Sequence, residues 1–169
     1  LHRELDNMNV LLVTNKQVFN EFSSGTPDVS AYKNMIRMFY NRATGIDDMP
    51  RFFLLFGDGS YDNLDVQNRL LTYQSSNSLN PINSFCTDDF FGFLDDTEGG
   101  DVGQLDISIG RIPVSSESQA LQAVKKISNY YSSATYGDWR NMACFIADDS
   151  DNEFSNSHMN TAEDITTLL

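Results

Sequence analysis

Positive charge is scarce in this sequence. Its 169 residues include 11 lysines and arginines but 24 aspartates and glutamates, so the formal net charge is −13. Nucleic acids and anionic lipid surfaces are both bound through clustered lysine and arginine side chains. The composition therefore argues against a nucleic-acid partner. No apolar run approaches the length of about 18 residues that a membrane-spanning helix needs, so we expect no direct membrane insertion by this segment.

Cysteine and histidine are also rare. Two cysteines are too few for a disulfide framework or a zinc site, and the apolar neighbours of Cys86 and Cys144 predict buried, unreactive thiols. Of the two histidines, His158 precedes the last predicted helix beside an acidic segment. We treat it as a candidate substrate-side residue, although a lone histidine is more often structural. The sequence contains neither a Gly-x-Ser-x-Gly nucleophile motif nor a phosphate-binding loop.

The most informative apolar stretch is the five-residue run from Phe52 to Phe56, which a Gly-Asp-Gly turn ends. A short run without polar breaks is typical of a strand that is covered on both faces, as in a parallel sheet. Asp58 and Asp62 would then lie at the carboxyl end of a central strand, where open α/β sheets bind their ligands. On the alternative interpretation, Asp58 only accepts hydrogen bonds from backbone amides of the turn.

Apolar patterns predict four strands that alternate with helices. The strands are predicted at residues 9–14, 52–56, 105–110 and 142–147, and the helices at 16–22, 31–42, 116–131 and from about 160 onward. This alternation predicts an α/β domain with a mostly parallel sheet flanked by helices. The third helix should begin with a capping box and bury an apolar stripe that consists of Ala120, Leu121, Val124, Ile127 and Tyr131.

Residues 63–104 show no helical period and predict a long loop with short hairpins. Five apolar residues are expected to anchor it to the core: Phe85, Phe90, Phe91, Phe93 and Leu94. Acidic residues crowd the loop and also follow the last predicted strand, from Asp148 to Glu153. These acids could bind a hard cation such as Ca²⁺, which takes six to eight oxygen ligands, or one of them could orient a catalytic histidine, or they could form a solvated surface. The candidate calcium ligands are Asp88, Asp89, Asp151 and Glu153.

Several motifs follow one another along nearly the whole chain. They include Phe-Leu-Leu-Phe-Gly-Asp-Gly-Ser-Tyr-Asp at 53–62, Thr-Asp-Asp-Phe-Phe-Gly at 87–92, Asp-Ile-Ser-Ile-Gly-Arg-Ile-Pro at 106–113 and Phe-Ile-Ala-Asp-Asp at 145–149. In this order they resemble the gingipain-like cysteine peptidases of family C25, and most of all the PorU-type sortases of the Bacteroidetes type IX secretion system.

The resemblance implies a caspase-like α/β catalytic domain of two subdomains. Residues 1–169 match the first subdomain and are expected to be truncated at both ends. The family's catalytic histidine and cysteine are expected beyond Leu169. An acid that supports the histidine falls at Asp148, Asp149 or Asp151. The position at which gingipains read an arginine side chain falls near Ser155 and Asn156, and no acid is present there, so the resemblance does not imply arginine specificity for this chain.

The resemblance also implies a function. The parent protein would be exported to the outer membrane or cell surface, and would cleave C-terminal sorting signals from secreted cargo through a thioester. Its partners would be that cargo and other secretion-system components. No cofactor is required, although gingipains bind calcium, which supports a structural Ca²⁺. This chain alone is expected to be inactive. The alternatives are a non-catalytic, cation-dependent binding domain of the same fold and a receiver-like domain with Asp58 as phosphoacceptor. The substrate-side candidates are Asp58, Asp62, Ser155, Asn156 and His158.

Overall fold

The computed structural model describes residues 1–60, 62, 70–77, 79–99, 102–147 and 157–167 of the chain. Tertiary contacts divide the chain into two units, Leu1–Ile127 and Ser128–Leu169. The strands of the described residues and their buried core lie in the first unit. The boundary between the units falls in the last turn of a helix that begins at Glu117.

The fold belongs to the α/β class, as the sequence predicts. In the described residues the helices are α1 (His2–Leu5), α2 (Asn15–Phe22), α3 (Val29–Arg42), α4 (Glu117–Tyr131) and α5 (Ser157–Thr166). The strands are β1 (Phe52–Phe56), β2 (Gly59–Ser60), β3 (Leu70–Leu71), β4 (Tyr73–Gln74), β5 (Cys86–Thr87) and β6 (Ser108–Ile112). Short 3-10 helices are found at Asp89–Gly92, Ser133–Thr135 and Asp138–Asn141. None of the helices described is long and apolar enough to cross a membrane.

Local hydrogen bonds explain where two helices begin. The Thr14 hydroxyl accepts a bond from the Gln17 backbone N–H at 3.4 Å, and the Gln17 side chain accepts one from the Thr14 N–H at 2.8 Å, which completes a capping box ahead of α2. The Asp28 carboxylate accepts a bond from the Ser30 N–H at 2.8 Å at the start of α3. The sequence predicts both helices, and each begins one or two residues earlier than expected.

Strand β1 pairs in parallel with β6, which confirms the predicted parallel pairing. The register sets Phe52 opposite Ser108 and Phe56 opposite Ile112. The strand expected at residues 105–110 is therefore displaced toward the C-terminus. Its Ile107 is buried in the core through the bend that precedes the strand, and pairing with β1 begins only at the next residue.

The two faces of β1 differ in burial, so the prediction of a strand covered on both sides is wrong for the described structure. Leu55 is 3% exposed and packs in the core cluster, whereas Leu54 is 51% exposed, and Phe52 and Phe56 are exposed with it. Successive side chains of a strand point to opposite faces. Helices α2 and α3 cover only the face that carries Leu55, and no residue from the opposite face of β1 belongs to the core cluster.

The core joins the inner face of β1 to α2, α3 and the 3-10 helix Asp89–Gly92. Its buried members are Val18, Phe19, Ala31, Tyr32, Met35, Ile36, Leu55, Phe91, Leu94 and Ile107. Phe91 lies at its centre, with ring contacts to Tyr32 at 5.6 Å and to Phe53 at 6.0 Å between centroids. The predicted long loop is thus anchored by Phe91, Phe93 and Leu94, whereas Phe85 is exposed.

In the described residues of that loop, one short antiparallel pair agrees with the predicted hairpins, whereas a parallel pair with a strand before the loop was not predicted. Strand β4 pairs with β5 in the antiparallel sense, and β2 pairs with β3 in parallel directly after the turn that ends β1. Strand β3 brings the loop next to the carboxyl end of β1, where the Leu70 N–H donates to the Asp58 carbonyl. The loop therefore belongs to the same packed body as the main sheet.

Two predicted strands, at residues 9–14 and 142–147, are not strands in the structure. Leu12 is 88% exposed and Ile146 is 93% exposed. A strand needs a neighbouring strand for its backbone hydrogen bonds, and no described strand pairs with either segment. Thr14, at the end of the first segment, instead caps α2.

Helix α4 is present as predicted, with the Gln119 N–H donating to the Ser116 hydroxyl at 3.3 Å. The predicted burial of its apolar stripe is wrong, because no residue of α4 is buried. Leu121, Val124 and Tyr131 are among the exposed large apolar side chains. A stripe is buried only where another element presents a matching face, and the core cluster of the described residues has no member from α4.

In the second unit, Arg140 packs against the end of α4. Its guanidinium carbon lies 4.3 Å from the ring centres of Tyr130 and Tyr136 and 5.1 Å from that of Trp139. Arg140 also donates to the backbone carbonyl of Tyr130, in the last turn of the helix. A positive side chain at this end satisfies a carbonyl that the helix leaves free and interacts favourably with its dipole.

The exposed and buried leucines of β1 offer a matched test of this burial. Leu55→Ala should lower the free energy of unfolding by about 2–5 kcal/mol, the usual cost of truncating a buried leucine. Leu54→Ala, which makes the same chemical change one residue away, should lower it by less than about 0.5 kcal/mol. Urea denaturation measures both values. Equal losses for the two variants would mean that both faces of β1 are covered.

Tyr32 should make the stability of the chain depend on alkaline pH. Burial raises the pKa of Tyr32 from 10.0 to about 12. The folded state therefore binds the Tyr32 proton more tightly than the unfolded state does. The stability that this difference contributes is complete below pH 10 and is lost as the pH rises toward 12. Between about pH 10 and 12, the free energy of unfolding should fall more for the wild type than for Tyr32→Phe, by about 1–3 kcal/mol, as followed by urea denaturation. Parallel curves for the two proteins would contradict this.

Candidate functional site

The carboxyl end of β1 continues into a short segment, Gly57–Ser60, that we call the rim loop. The Gly57 N–H donates to the Ile112 carbonyl at 3.0 Å, and the Asp58 N–H donates to the Val114 carbonyl at 2.9 Å. On its other side, the Asp58 carbonyl accepts a bond from the Leu70 N–H at 2.8 Å. Backbone bonds therefore hold the rim loop between the end of β6 and β3.

Asp58 lies at the end of β1 with its side chain half-buried. One carboxylate oxygen, Oδ1, accepts a bond from the Gly59 N–H at 2.9 Å, as the turn interpretation of this residue predicts. The described residues provide no hydrogen-bond donor for Oδ2. Asp62 is exposed nearby in the chain, and its N–H donates to the Ser60 hydroxyl at 3.1 Å. Asp58 thus places one carboxylate oxygen where a bound molecule could donate to it.

The rim loop also contacts a half-buried arginine that no sequence pattern marked as a site residue. Arg111, on β6, donates through Nε and Nη2 to the two carboxylate oxygens of Asp88, each at 2.7 Å. It donates further to the Gly57 carbonyl at 3.3 Å and to the Leu71 carbonyl at 3.2 Å. One side chain therefore connects β6, the rim loop, β3 and the segment that follows β5. The signal for it was a charged residue flanked by apolar ones in Ile-Gly-Arg-Ile.

Close packing leaves room for nothing larger than glycine at position 59. A Cβ atom placed there would lie 2.6 Å from Cγ2 of Thr72 and 3.4 Å from Nη1 of Arg111. The Thr72 hydroxyl donates to the Ser60 carbonyl at 3.0 Å, so this side chain cannot simply turn away without losing a bond. The second glycine of the Gly-Asp-Gly turn is thus required by close approach.

Acidic residues of the predicted long loop, together with Asp106 just after it, face one side of α3. Asp96 pairs with Arg37, and Asp106 accepts a bond from the Tyr40 hydroxyl at 3.4 Å. Asp106 raises the pKa of Tyr40, and burial lowers the pKa of Lys33, an effect that the nearby Glu98 partly offsets. Lys33, Arg37 and Tyr40 follow one another at helical spacing, so a single face of α3 holds this acidic segment.

The candidate calcium ligands are only partly within the described residues. Asp88 accepts two bonds from Arg111, so its charge is already compensated by a cation of the protein. Asp89 is exposed, and its N–H donates to the Thr87 hydroxyl. Asp151 and Glu153 lie outside the described residues. Where the structure describes the chain, no group of three or more His, Cys, Asp or Glu side chains could hold a metal ion. A structural Ca²⁺ stays a prediction.

The other predicted site residues lie in the second unit. Asp148, Asp149 and Asp151, the candidates for the supporting acid, fall outside the described residues, as do Ser155 and Asn156. Their roles stay predictions. His158 is exposed in the first turn of α5, which begins at Ser157, so the prediction that it precedes the helix is wrong.

The prediction of buried cysteines is also wrong, because Cys86 and Cys144 are both free and exposed. Cys86 lies in β5, a strand of two residues that covers little surface. Cys144 lies in the segment that pairs with no described strand. Apolar sequence neighbours bury a thiol only where the segment that carries them is itself packed.

Comparison with known proteins agrees with the family that the sequence motifs resemble. The sequence model of peptidase family C25 matches residues 1–169. Among solved structures, the chain is similar to the crystal structure of dimeric latent PorU from Porphyromonas gingivalis, with 38% sequence identity and a TM-score of 0.71. This similarity covers 89% of the chain and 16% of the PorU chain. No match is found among curated proteins.

Gly59→Ala tests the packing of the rim loop. The added methyl group meets Thr72, so the variant should lose about 1–3 kcal/mol of stability, as overpacked sites do. Adding Thr72→Ser should restore most of this loss, because serine lacks Cγ2 but keeps the hydroxyl that donates to Ser60. Gly110→Ala is the control, since its nearest contact would be an ordinary 3.8 Å. Urea denaturation of the single and double variants measures the effect, and an equal loss with and without Thr72→Ser would contradict it.

Proposed function

Because the chain belongs to peptidase family C25, we propose that it is part of the catalytic domain of an exported, sortase-type cysteine peptidase. The observation that supports the proposal is the similarity to PorU, at 38% identity over 89% of the chain. The chain spans only 16% of the PorU chain, and in this proposal the activity belongs to a larger parent protein. In this proposal the parent acts at the outer membrane or cell surface, where its partners are secreted cargo proteins and other secretion-system components.

The proposed reaction is the removal of C-terminal sorting signals from cargo. A cysteine thiolate attacks the scissile carbonyl, a histidine protonates the leaving amine, and the resulting thioester passes its acyl group to water or to an amine. Hydrogen-bond donors stabilise the oxyanion that forms at the carbonyl. In our proposal the cysteine and the histidine come from the part of the parent that follows this chain.

This chain would supply three parts of the active site. The first is the scaffold of β1 and β6. The second is the acid that supports the catalytic histidine, for which Asp148, Asp149 and Asp151 are the candidates. The third is a wall against which the substrate lies, with Asp58 and its half-buried carboxylate at the carboxyl end of β1. Supporting acids act by holding the histidine in the productive tautomer and by stabilising its protonated form.

The proposal is tested on the parent protein, or on this chain extended by about 150 residues to the size of an ordinary two-subdomain unit. A thiol-reactive peptidyl probe is added, and labelled cysteines are mapped by mass spectrometry. We expect one labelled cysteine beyond Leu169. Because Cys86 and Cys144 are free and exposed, the test is run in a Cys86→Ser/Cys144→Ser background.

Substitution of the supporting acid should slow this labelling. One of Asp148→Asn, Asp149→Asn and Asp151→Asn should reduce the labelling rate by about 10²-fold or more, since loss of such an acid is severe in other triads. Asp96→Asn is the control, because this acid is 92% exposed and pairs with Arg37 on α3. The 169-residue chain alone should hydrolyse no peptide. A well-folded parent that the probe does not label would refute the peptidase and indicate a binding domain.

A further inference from the structure

Arg111 occupies an unusual position for a charged side chain. The register of the main sheet sets it beside Leu55, which is buried on the inner face of β1. The side chains of Arg111 and Asp88 are only 13% and 23% exposed. Removing an ion pair from water costs free energy, and well-packed apolar residues often give equal or greater stability. Stability therefore does not by itself explain an arginine at this position.

The hydrogen bonds of Arg111 indicate what it does. Two of its donors are held by Asp88, which fixes the plane of the guanidinium as a bidentate pair does. The remaining bonds are made to the carbonyls of Gly57 and Leu71. Gly57 directly precedes Asp58, and Leu71 lies on the strand that follows the rim loop. The guanidinium thus binds the first residue of the rim loop and the strand that follows the loop at once.

Asp58 lies in the chain between Gly57 and Leu71, the two residues whose carbonyls Arg111 binds, and it has an available carboxylate oxygen. The backbone of Asp58 is fixed on both sides, by bonds to Val114 and Leu70, and its Oδ1 is engaged by Gly59. Its Oδ2 keeps no partner among the described residues. A shift of Gly57 would move this oxygen directly, because the two residues share a peptide bond.

We propose that Arg111 is a positioning residue for substrate binding. It holds the rim loop so that Oδ2 of Asp58 can accept a hydrogen bond from a backbone amide or a basic side chain of the bound polypeptide. This inference rests on the proposed peptidase function. Arg111 acts through Asp58 and takes no part in the bond-breaking steps.

The test measures binding and chemistry separately on the parent protein. A peptidyl acyloxymethyl ketone of fixed sequence labels the catalytic cysteine, and the concentration dependence of labelling gives the probe concentration at half-maximal rate and the maximal rate. Arg111→Met should raise the half-maximal concentration about tenfold or more and change the maximal rate less than about threefold, as expected for lost ground-state binding. The rate with iodoacetamide, which has no peptide to bind, should stay unchanged. Arg111→Lys keeps the charge but not the bidentate geometry, so its half-maximal concentration should lie between those of the wild type and Arg111→Met.

A double-mutant cycle shows whether Arg111 acts through Asp58. Asp58→Asn should raise the half-maximal concentration by a similar factor, and adding Arg111→Met to it should raise it little further, because residues that act as one unit are not additive. Multiplying effects would mean that the two residues act independently and would overturn the inference. Asp58→Asn changes a half-buried side chain by one atom and leaves the Arg111–Asp88 pair intact, so it gives a result even if Arg111→Met folds poorly.

Arg37→Met is the matched control, since it also removes an arginine from an ion pair, here the pair between α3 and the exposed Asp96. It should leave both labelling parameters unchanged. A loss of thermal stability in Arg111→Met without a change in half-maximal concentration would overturn the positioning role and leave a structural one. A wild-type parent that no probe labels would instead refute the proposed function, so the two failures are distinguishable.

Discussion

The parallel pairing of β1 with β6 is the constraint on which the other features of the first unit depend. Its register brings Leu55 and Arg111 to the same inner face, so the core and the charged contacts of the rim loop arise from one pairing. The pairing also continues past the ends of both strands, through the bonds that Gly57 and Asp58 make to Ile112 and Val114. Shifting the register by one residue would send every side chain to the opposite face.

Charge is the second constraint, because a chain with a net charge of −13 must place its acids where they do not repel one another. The described structure does this by giving acids of the long loop partners on other elements. Asp88 faces Arg111, and Asp96 faces Arg37. Surface pairs of the second kind contribute little stability, whereas the less exposed first pair has the geometry of a specific contact. Asp88 in this way joins the long loop to the sheet, and Asp96 joins it to α3.

These two constraints together account for the character of the candidate site. A peptidase needs rigid support for the groups that bind and orient its substrate, and rigid support is most easily supplied by the ends of paired strands. The rim loop has such support from backbone bonds, from the close contact of Gly59 with Thr72 and from Arg111. The side chain of Asp58 is consequently half-buried, and its backbone is fixed by hydrogen bonds.

The sequence was sufficient for what depends on neighbours in the chain. Helices α2, α3 and α4 begin close to where their caps predict, since each cap joins residues two or three positions apart. The five-residue run of β1 and the position of Asp58 after it are equally local, and the motifs along the chain were sufficient for the family. Site roles at Asp148–Asp151, Ser155 and Asn156 are predictions that rest on that resemblance alone.

What the sequence could not supply depends on contacts between distant residues. Arg111 is 23 residues from Asp88, 40 from Leu71 and 54 from Gly57, and no local pattern connects those positions. Burial of an apolar stripe likewise needs a second surface, which explains why α4 and the segments at 9–14 and 142–147 are exposed in spite of their patterns. Periodicity states which side of an element could be buried, but only tertiary packing supplies the partner that buries it.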